Sequence, residues 1–185
     1  PADLVVVGIG VAPRTELAVQ LGLECDGGIV VDGSARTSAA SFVAAGDCTV
    51  QPSPLTGSGR VRLESVQNAT AQAQVAAATL LGRPATTIGT VPWFWSDQGD
   101  LRLQIAGLAA GYDRTVVRGQ PDSEKFSVLY YQSDRLLAVD AVNTPSDYLV
   151  VRKALTQGST IPADRAADAT VPLKTLLVAR PAASV

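Results

Sequence analysis

The 185 residues contain no histidine. With it go the usual general base near neutral pH, the Ser–His and Cys–His nucleophile pairs, and most catalytic metal sites. Cysteine occurs only as Cys25 and Cys48. These two are too far apart for a Cys-x-x-Cys redox or zinc pattern, and two buried free thiols are expected. An enzyme of this composition must borrow its chemistry from a cofactor. No apolar run reaches the length of a membrane span, and no basic-then-apolar segment opens the chain, so a soluble, cytoplasmic protein is expected. The net charge of -2 gives no overall attraction to nucleic acid or anionic membrane, although a local basic patch is compatible with it. Methionine is absent as well. Residues 1–10 (PADLVVVGIG) read as a buried strand already in progress. Both facts point to a chain that begins within a fold.

What is present is core-forming. Hydrophobic residues make up 46% and charged residues 17%, a balance that argues against disorder. The length suits one domain, or a small domain with part of another. Leu4 to Val7 form an apolar run ending at Gly8 and Gly10, the pattern of a parallel strand covered on both faces. Thr15 to Leu21 allow one or two helical turns. Gly27-Gly28 marks a turn before a short strand at Ile29 to Val31. Phe42 to Ala45 is a second apolar run, closed by Gly46-Asp47, and residues 51–60 (QPSPLTGSGR) read as a surface loop. An alanine-rich helix is predicted over Glu64 to Leu81, stopped by Gly82 and Pro84. After Pro92 the period changes. Short strands are predicted at Trp93 to Trp95, Leu101 to Ala106, Thr115 to Arg118, Phe126 to Tyr131 and Leu136 to Val142, with a hairpin turn at Ser133-Asp134. A helix should open near Thr144 with Pro145 at its first position and end at Gly158. The tail from Pro172 to Arg180 fits a strand or a short helix. The expected architecture is α/β to about residue 90, followed by α+β on an antiparallel sheet.

Four segments could carry chemistry. Gly8-Ile9-Gly10 is either a tight turn after a strand or a place where a nucleotide approaches the backbone closely; Pro13 replaces the third glycine of the dinucleotide pattern. Thr37 to Asp47 reads as a small-residue strand that delivers one carboxylate at its C-terminal end, suited either to sugar-like hydroxyls or to capping a turn. Glu64 to Asn68 opens the helix. The Val66 N–H there either faces an electron-rich ring or belongs to an ordinary helix start. In Trp93-Phe94-Trp95, strand alternation places the two indoles on one face and Phe94 on the other, for core packing or for a flat aromatic contact.

Taken in order, GIGVAPRTELA, TSAASFVAAGDC, VRLESVQNATAQA, VPWFWSDQ and FSVLYYQSDRLLAVDAVN, continuing through VPLKTLL at residues 171–177, resemble the FAD-dependent ferredoxin reductases. Members of that family pass electrons from NADH through FAD to a [2Fe–2S] ferredoxin that serves a monooxygenase or dioxygenase. The resemblance implies the two-dinucleotide-binding-domain flavoprotein fold with a reductase C-terminal domain. Residues 1–24 would end the NAD domain, residues 25–90 would form the C-terminal part of the FAD domain, and residues 91–185 would cover the flavin and face the partner. It assigns Asp47 to the FAD ribityl or phosphate-linked hydroxyls and the Val66 backbone to the flavin pyrimidine edge. It places Trp95 beside the isoalloxazine and Gly8, Ile9 and Gly10 along the nicotinamide side. Trp93, Gln74, Arg152, Lys153 and Lys174 become candidates for the ferredoxin contact. Gln74 stands where a family member carries arginine, and Arg152, Lys153 and Lys174 form either a basic patch for an acidic ferredoxin or a solvated face.

No catalytic acid or base is implied, only positioning and electrostatics. The lack of a reactive thiol pair argues against the disulfide reductases that share the flavin fold. The G-x-G-x-x-G fingerprints for FAD and NAD do not occur in the sequence. The piece alone is therefore expected to bind neither nucleotide tightly and to need the N-terminal half of the same protein as its partner. An NADH oxidase, an apoptosis-inducing-factor-like flavoprotein, or an inert fragment without cofactor are the other readings.

Overall fold

A computed structural model of the chain describes residues 1–55, 59–84 and 91–179. Part of the expected 51–60 loop, the expected domain boundary at residue 90 and the tail end at Arg180 lie outside the described residues. The chain divides into two compact units, one running to Ser53 and resuming through the long alanine-rich helix, the other holding Pro54, Leu55 and the residues from 91 onward.

The first unit contains α1 (Glu16–Gln20), β1 (Ile29–Val30), β2 (Thr49–Pro52), β3 (Arg60–Val61) and α2 (Val66–Leu80). β2 is the middle strand, parallel to β1 and antiparallel to β3. Helix α2 begins two residues after the predicted start at Glu64. Ser65 is extended (φ -159°, ψ 147°), and its hydroxyl accepts from the Asn68 N–H at 3.4 Å, an N-cap bond. It stops where Gly82 takes φ +63° and its N–H reaches the Thr79 carbonyl. Its inward face is Asn68, Gln72, Val75, Ala76 and Thr79, so much of what it buries is polar.

Four expectations for this unit are corrected. Leu4 to Val7 form no strand and stand 72–86% exposed, because no described strand lies beside them to complete a ladder. Phe42 to Ala45 make only the isolated bridge Arg36↔Val43. There the Arg36 guanidinium and the Thr37 hydroxyl bond to nearby carbonyls (Ala40 at 2.8 Å, Ala39 at 3.0 Å) and bend the chain away from a strand path. Gln51, Pro52 and Arg60, expected in a loop, pair in β2 and β3. Cys25 and Cys48 are free thiols as expected, but only partly buried.

The second unit follows its sequence closely. Strands β4 (Trp93–Gln98), β5 (Leu101–Gly107), β6 (Arg114–Gln120), β7 (Lys125–Gln132) and β8 (Arg135–Val142) form one antiparallel sheet in the order β4-β5-β8-β7-β6. Ser133 and Asp134 have φ +47° and +62°, the two positive values that a two-residue I′ hairpin requires. At the end of β5, Gly107 has φ +87°, and a Cβ there would lie 2.1 Å from the Leu137 carbonyl oxygen, so only glycine fits. Helix α3 (Pro145–Thr156) opens after Thr144 with Pro145 in its first turn. It lays Tyr148, Val151 and Ala154 on the sheet, against Ala106, Val116, Leu129, Val139 and Ala141. The remainder is a 3-10 turn at Pro121–Ser123 between β6 and β7, β9 (Ser159–Thr160), α4 (Ala163–Ala166), a 3-10 turn at Leu173–Thr175, and β10 (Val178–Ala179), which pairs with β9. The tail thus adopts both of its expected forms.

One buried group leaves a measurable mark. Tyr131 is fully buried, and its hydroxyl has no hydrogen-bond partner among the described residues. Burial raises its pKa. Burial, helped by a 2.7 Å hydrogen bond to Asp140, pushes Tyr130 up to about 12. A phenol whose folded pKa exceeds its unfolded value contributes stability that is complete below the unfolded value, roughly 10 for tyrosine. That contribution is lost as pH rises toward the folded value. Melting temperature should therefore fall steeply above about pH 10. Tyr131→Phe should raise stability at neutral pH by about 1 kcal/mol, because it removes an unpaired buried hydroxyl. It should also flatten the alkaline decline. A lower melting temperature for the variant at pH 7 would refute the unpaired hydroxyl.

Candidate functional site

The first unit brings two of the sequence-predicted site residues into one local framework. Asp47 lies in an exposed turn immediately before β2, not at the end of a preceding strand as expected. That turn is fixed to α2. The Gly46 N–H donates to Gln72 Oε1 at 2.6 Å, and a Cβ on Gly46 would lie 3.8 Å from the Ala69 methyl. Val66 is the first residue of α2 and is 69% exposed. Ser65 caps the N–H of Asn68, which leaves the Val66 N–H among those a helix cannot pair internally. Gln74 sits on the exposed side of the same helix. Gly8, Ile9 and Gly10 are exposed. Ile9 is 93% exposed and Gly10 has φ +106°, consistent with a turn that presents bare backbone.

Beneath the Asp47 turn lies a polar network that the sequence reading did not single out. Gln72 Nε2 donates to Gln51 Oε1 at 2.6 Å and to the Thr49 hydroxyl at 2.8 Å. Gln51 Nε2 donates to Asn68 Oδ1 at 3.2 Å, and Asn68 Nδ2 donates to the Leu63 carbonyl at 3.1 Å. Thr49, Gln51 and Gln72 are each no more than 1% exposed. The signal for it was available in the helical spacing of Asn68, Gln72 and Thr79, polar residues on the face that points inward.

In the second unit Trp93 and Trp95 share a face of β4, as alternation predicted, with ring centroids 5.6 Å apart and planes 28° apart. Trp93 is partly buried against the core, whereas Trp95 is 38% and Phe94 43% exposed. The Arg152 guanidinium lies 4.6 Å from the centre of the Trp93 ring and donates to the Tyr148 hydroxyl at 3.2 Å. Arg152 is therefore engaged by aromatic side chains and is not a free surface cation. Lys153 and Lys174 are exposed, and neither forms an ion pair among the described residues. A cavity of about 570 Å³ in this unit, lined in part by Arg135, Leu136, Leu155 and Thr160, contains none of the sequence-predicted residues. Among the described residues no acidic or cysteine cluster could hold a metal, and no helix is long and apolar enough to cross a membrane.

Comparison with known proteins agrees with both units. Residues 1–73 match the pyridine nucleotide-disulphide oxidoreductase model, and residues 93–177 match the reductase C-terminal model. Rhodocoxin reductase of Rhodococcus erythropolis is 49% identical over 97% of the chain and 41% of its own length. Putidaredoxin reductase of Pseudomonas putida is 43% identical over 97% of the chain and 42% of its own length. Among solved structures, the covalent putidaredoxin reductase–putidaredoxin complex superposes with TM-score 0.87 at 43% identity, covering 95% of the chain and 42% of that protein. The ferredoxin reductase for the CYP199A2 system of Rhodopseudomonas palustris gives TM-score 0.87 at 42% identity, covering 96% and 44%. The chain thus spans about two-fifths of the length of the curated relatives it matches. Residues 1–73 thus belong to the pyridine nucleotide-disulphide oxidoreductase family and residues 93–177 to the reductase C-terminal family, in a chain similar over 97% of its length to ferredoxin reductases.

Proposed function

We propose that the chain is part of an FAD-dependent reductase that passes electrons from NADH to a [2Fe–2S] ferredoxin serving a monooxygenase or dioxygenase in the cytoplasm. The observation that carries this reading is the Asp47 turn, locked through Gln72 to α2, the helix whose start leaves backbone amides unpaired. A carboxylate that accepts from sugar hydroxyls and a helix start that favours negative charge are the two groups a flavin nucleotide needs from such a unit. The donor set therefore fits FAD. Asp47 would hold the ribityl or phosphate-linked hydroxyls, the Val66 N–H would meet the pyrimidine edge, and Trp95 would supply a flat face beside the ring. Gly8, Ile9 and Gly10 would line the nicotinamide side.

When bound, FAD accepts hydride and releases electrons singly. The residues here would orient it and favour the charge that reduction creates. The absence of histidine and of a thiol pair agrees with a site that needs neither. In this reading residues 1–24 end the NAD domain, residues 25–90 complete the FAD domain, and residues 91–185 cover the flavin and meet the partner. Lys153 and Lys174 would attract an acidic ferredoxin, and Gln74 and Trp93 are further candidates for its contact. The N-terminal half of the same protein would supply the nucleotide fingerprints.

The test uses the full-length reductase. Asp47→Ala should weaken FAD retention roughly ten-fold, the value of one charge-assisted hydrogen bond. Trp95→Ala should change the fluorescence of bound flavin. The parent should reduce a [2Fe–2S] ferredoxin faster than it reduces oxygen. Full flavin loading in the Asp47 variant together with unaltered fluorescence in the Trp95 variant would remove both residues from the site. Preference for oxygen would make the protein an oxidase.

A further inference from the structure

We infer that Arg152 is a positioning residue that holds Trp93, and through Trp93 sets the plane in which Trp95 is presented. Three contacts make a continuous stack. The Arg152 guanidinium is fixed by the Tyr148 hydroxyl at 3.2 Å, one turn earlier on α3, and lies 4.6 Å from the centre of the Trp93 ring. Trp93 in turn stacks on Trp95 at 5.6 Å and 28°. The stack begins inside the unit and ends at its surface. Tyr148 is 4% exposed, Trp93 packs against the core, and Trp95 is 38% exposed.

An indole at the rim of a sheet has more than one staggered well open to it. The inner indole of this pair is confined between a helix-borne cation and its neighbour, and the outer one inherits that confinement by stacking. The choice of arginine follows from the chemistry. A planar, always-charged guanidinium can lie flat on an aromatic face while one N–H remains free to bond the phenol. Lysine keeps the charge but offers a point contact. The sequence reading left Arg152 in either a partner-facing basic patch or a solvated face. The stack gives it a role within this chain.

The experiment exploits the fact that Trp93 and Trp95 are the only tryptophans in the chain. Two stacked indoles produce a paired, oppositely signed circular-dichroism band (an exciton couplet), whose amplitude reports their mutual geometry. It is to be measured on the 185-residue chain for the parent, Arg152→Lys and Arg152→Gln, with thermal melting recorded alongside. Release of Trp93 into a second rotamer well at roughly even population reduces the couplet about two-fold in the glutamine variant. The lysine variant should lie between that and the parent. If the glutamine variant does not fold, a smaller couplet in a lysine variant that melts like the parent carries the same conclusion. Equal amplitudes in every folded variant would overturn the inference.

A second readout rests on the flavin reading above. In the full-length reductase Arg152→Gln should shift bound-flavin fluorescence in the same direction as Trp95→Ala. A couplet that falls while the flavin signal stays constant would leave Arg152 as the brace of the stack and remove Trp95 from the flavin.

Discussion

Replacing Arg118 with methionine should lower the unfolding free energy by about 3–5 kcal/mol, the cost of breaking a buried ion pair from one side. The Arg118 side chain is 7% exposed and that of its partner Asp147 is 13% exposed. Arg118 Nε meets Asp147 Oδ2 at 3.1 Å. Nη1 donates to the carbonyls of Ala166 at 3.2 Å and Asp168 at 2.5 Å, and Nη2 donates to Val171 at 2.9 Å. One guanidinium thereby ties the edge strand β6 to the first turn of α3, to the last residue of α4 and to the segment after it. Its removal leaves the Asp147 carboxylate with the Ser127 hydroxyl at 3.0 Å as its remaining side-chain donor, and it strips three carbonyls of a common partner. The urea midpoint should drop with little change in slope, since the exposed area on unfolding stays the same. Adding Asp147→Asn should recover part of the loss, because the stranded charge is then gone. Arg118→Lys should fall between, as an ammonium cannot span four acceptors fixed in the plane of a guanidinium. A midpoint shift worth less than about 1 kcal/mol for the methionine variant would show that the pair is a surface-like contact.

The two units differ in how much of them could be read beforehand, and the reason is where their partners lie. In the second unit every strand pairs with another strand within about forty residues of sequence, a local arrangement. Alternation along Phe126 to Tyr131, the Ser133-Asp134 turn and Pro145 after Thr144 therefore specified elements that their own neighbours complete. In the first unit the apolar runs at Leu4 to Val7 and Phe42 to Ala45 have strand-like composition but no described strand to pair with on both sides. Hydrophobicity marks a segment that wants cover, and whether it becomes a strand depends on what lies beside it. The site residues divide similarly. Asp47, Val66 and Trp95, the candidates, sit at a turn, a helix start and an edge strand, places where motif spacing speaks. Arg118 and Gln72 are polar residues inside the packing, and a pattern of hydrophobic and polar letters reads them as exposed. Only their period gives them away. Arg118 follows Val116 by two in β6, so both point inward, and Gln72 falls on the helical line through Asn68 and Val75.

That buried amide also sets the largest expected effect in the first unit. Gln72→Leu should cost about 3 kcal/mol, because it orphans a buried side-chain carbonyl and a partly buried backbone N–H at once. The Gly46 N–H loses its acceptor at 2.6 Å and Gln51 Oε1 loses its donor at 2.6 Å, while Thr49 keeps its bond to the Gly46 carbonyl at 2.8 Å. The loss should be strongly non-additive with Gln51→Leu. Once both amides are gone, neither leaves the other unpaired, and two leucines of similar bulk can pack in their place. The double variant should therefore be more stable than the sum of the single losses implies, by roughly 1 kcal/mol or more. Chemical denaturation of the three variants measures this coupling directly, and strict additivity would mean that the two amides do not share a hydrogen bond. The functional consequence separates from the energetic one. The Gln72 bond to Gly46 holds the turn that carries Asp47, so under the proposed role of Asp47 the full-length protein carrying Gln72→Leu should release FAD more readily even at temperatures where the fold is intact. The double variant should regain stability without regaining the cofactor, because a leucine side chain has no oxygen to offer the Gly46 N–H. Recovery of both together would mean that the turn is placed by packing alone.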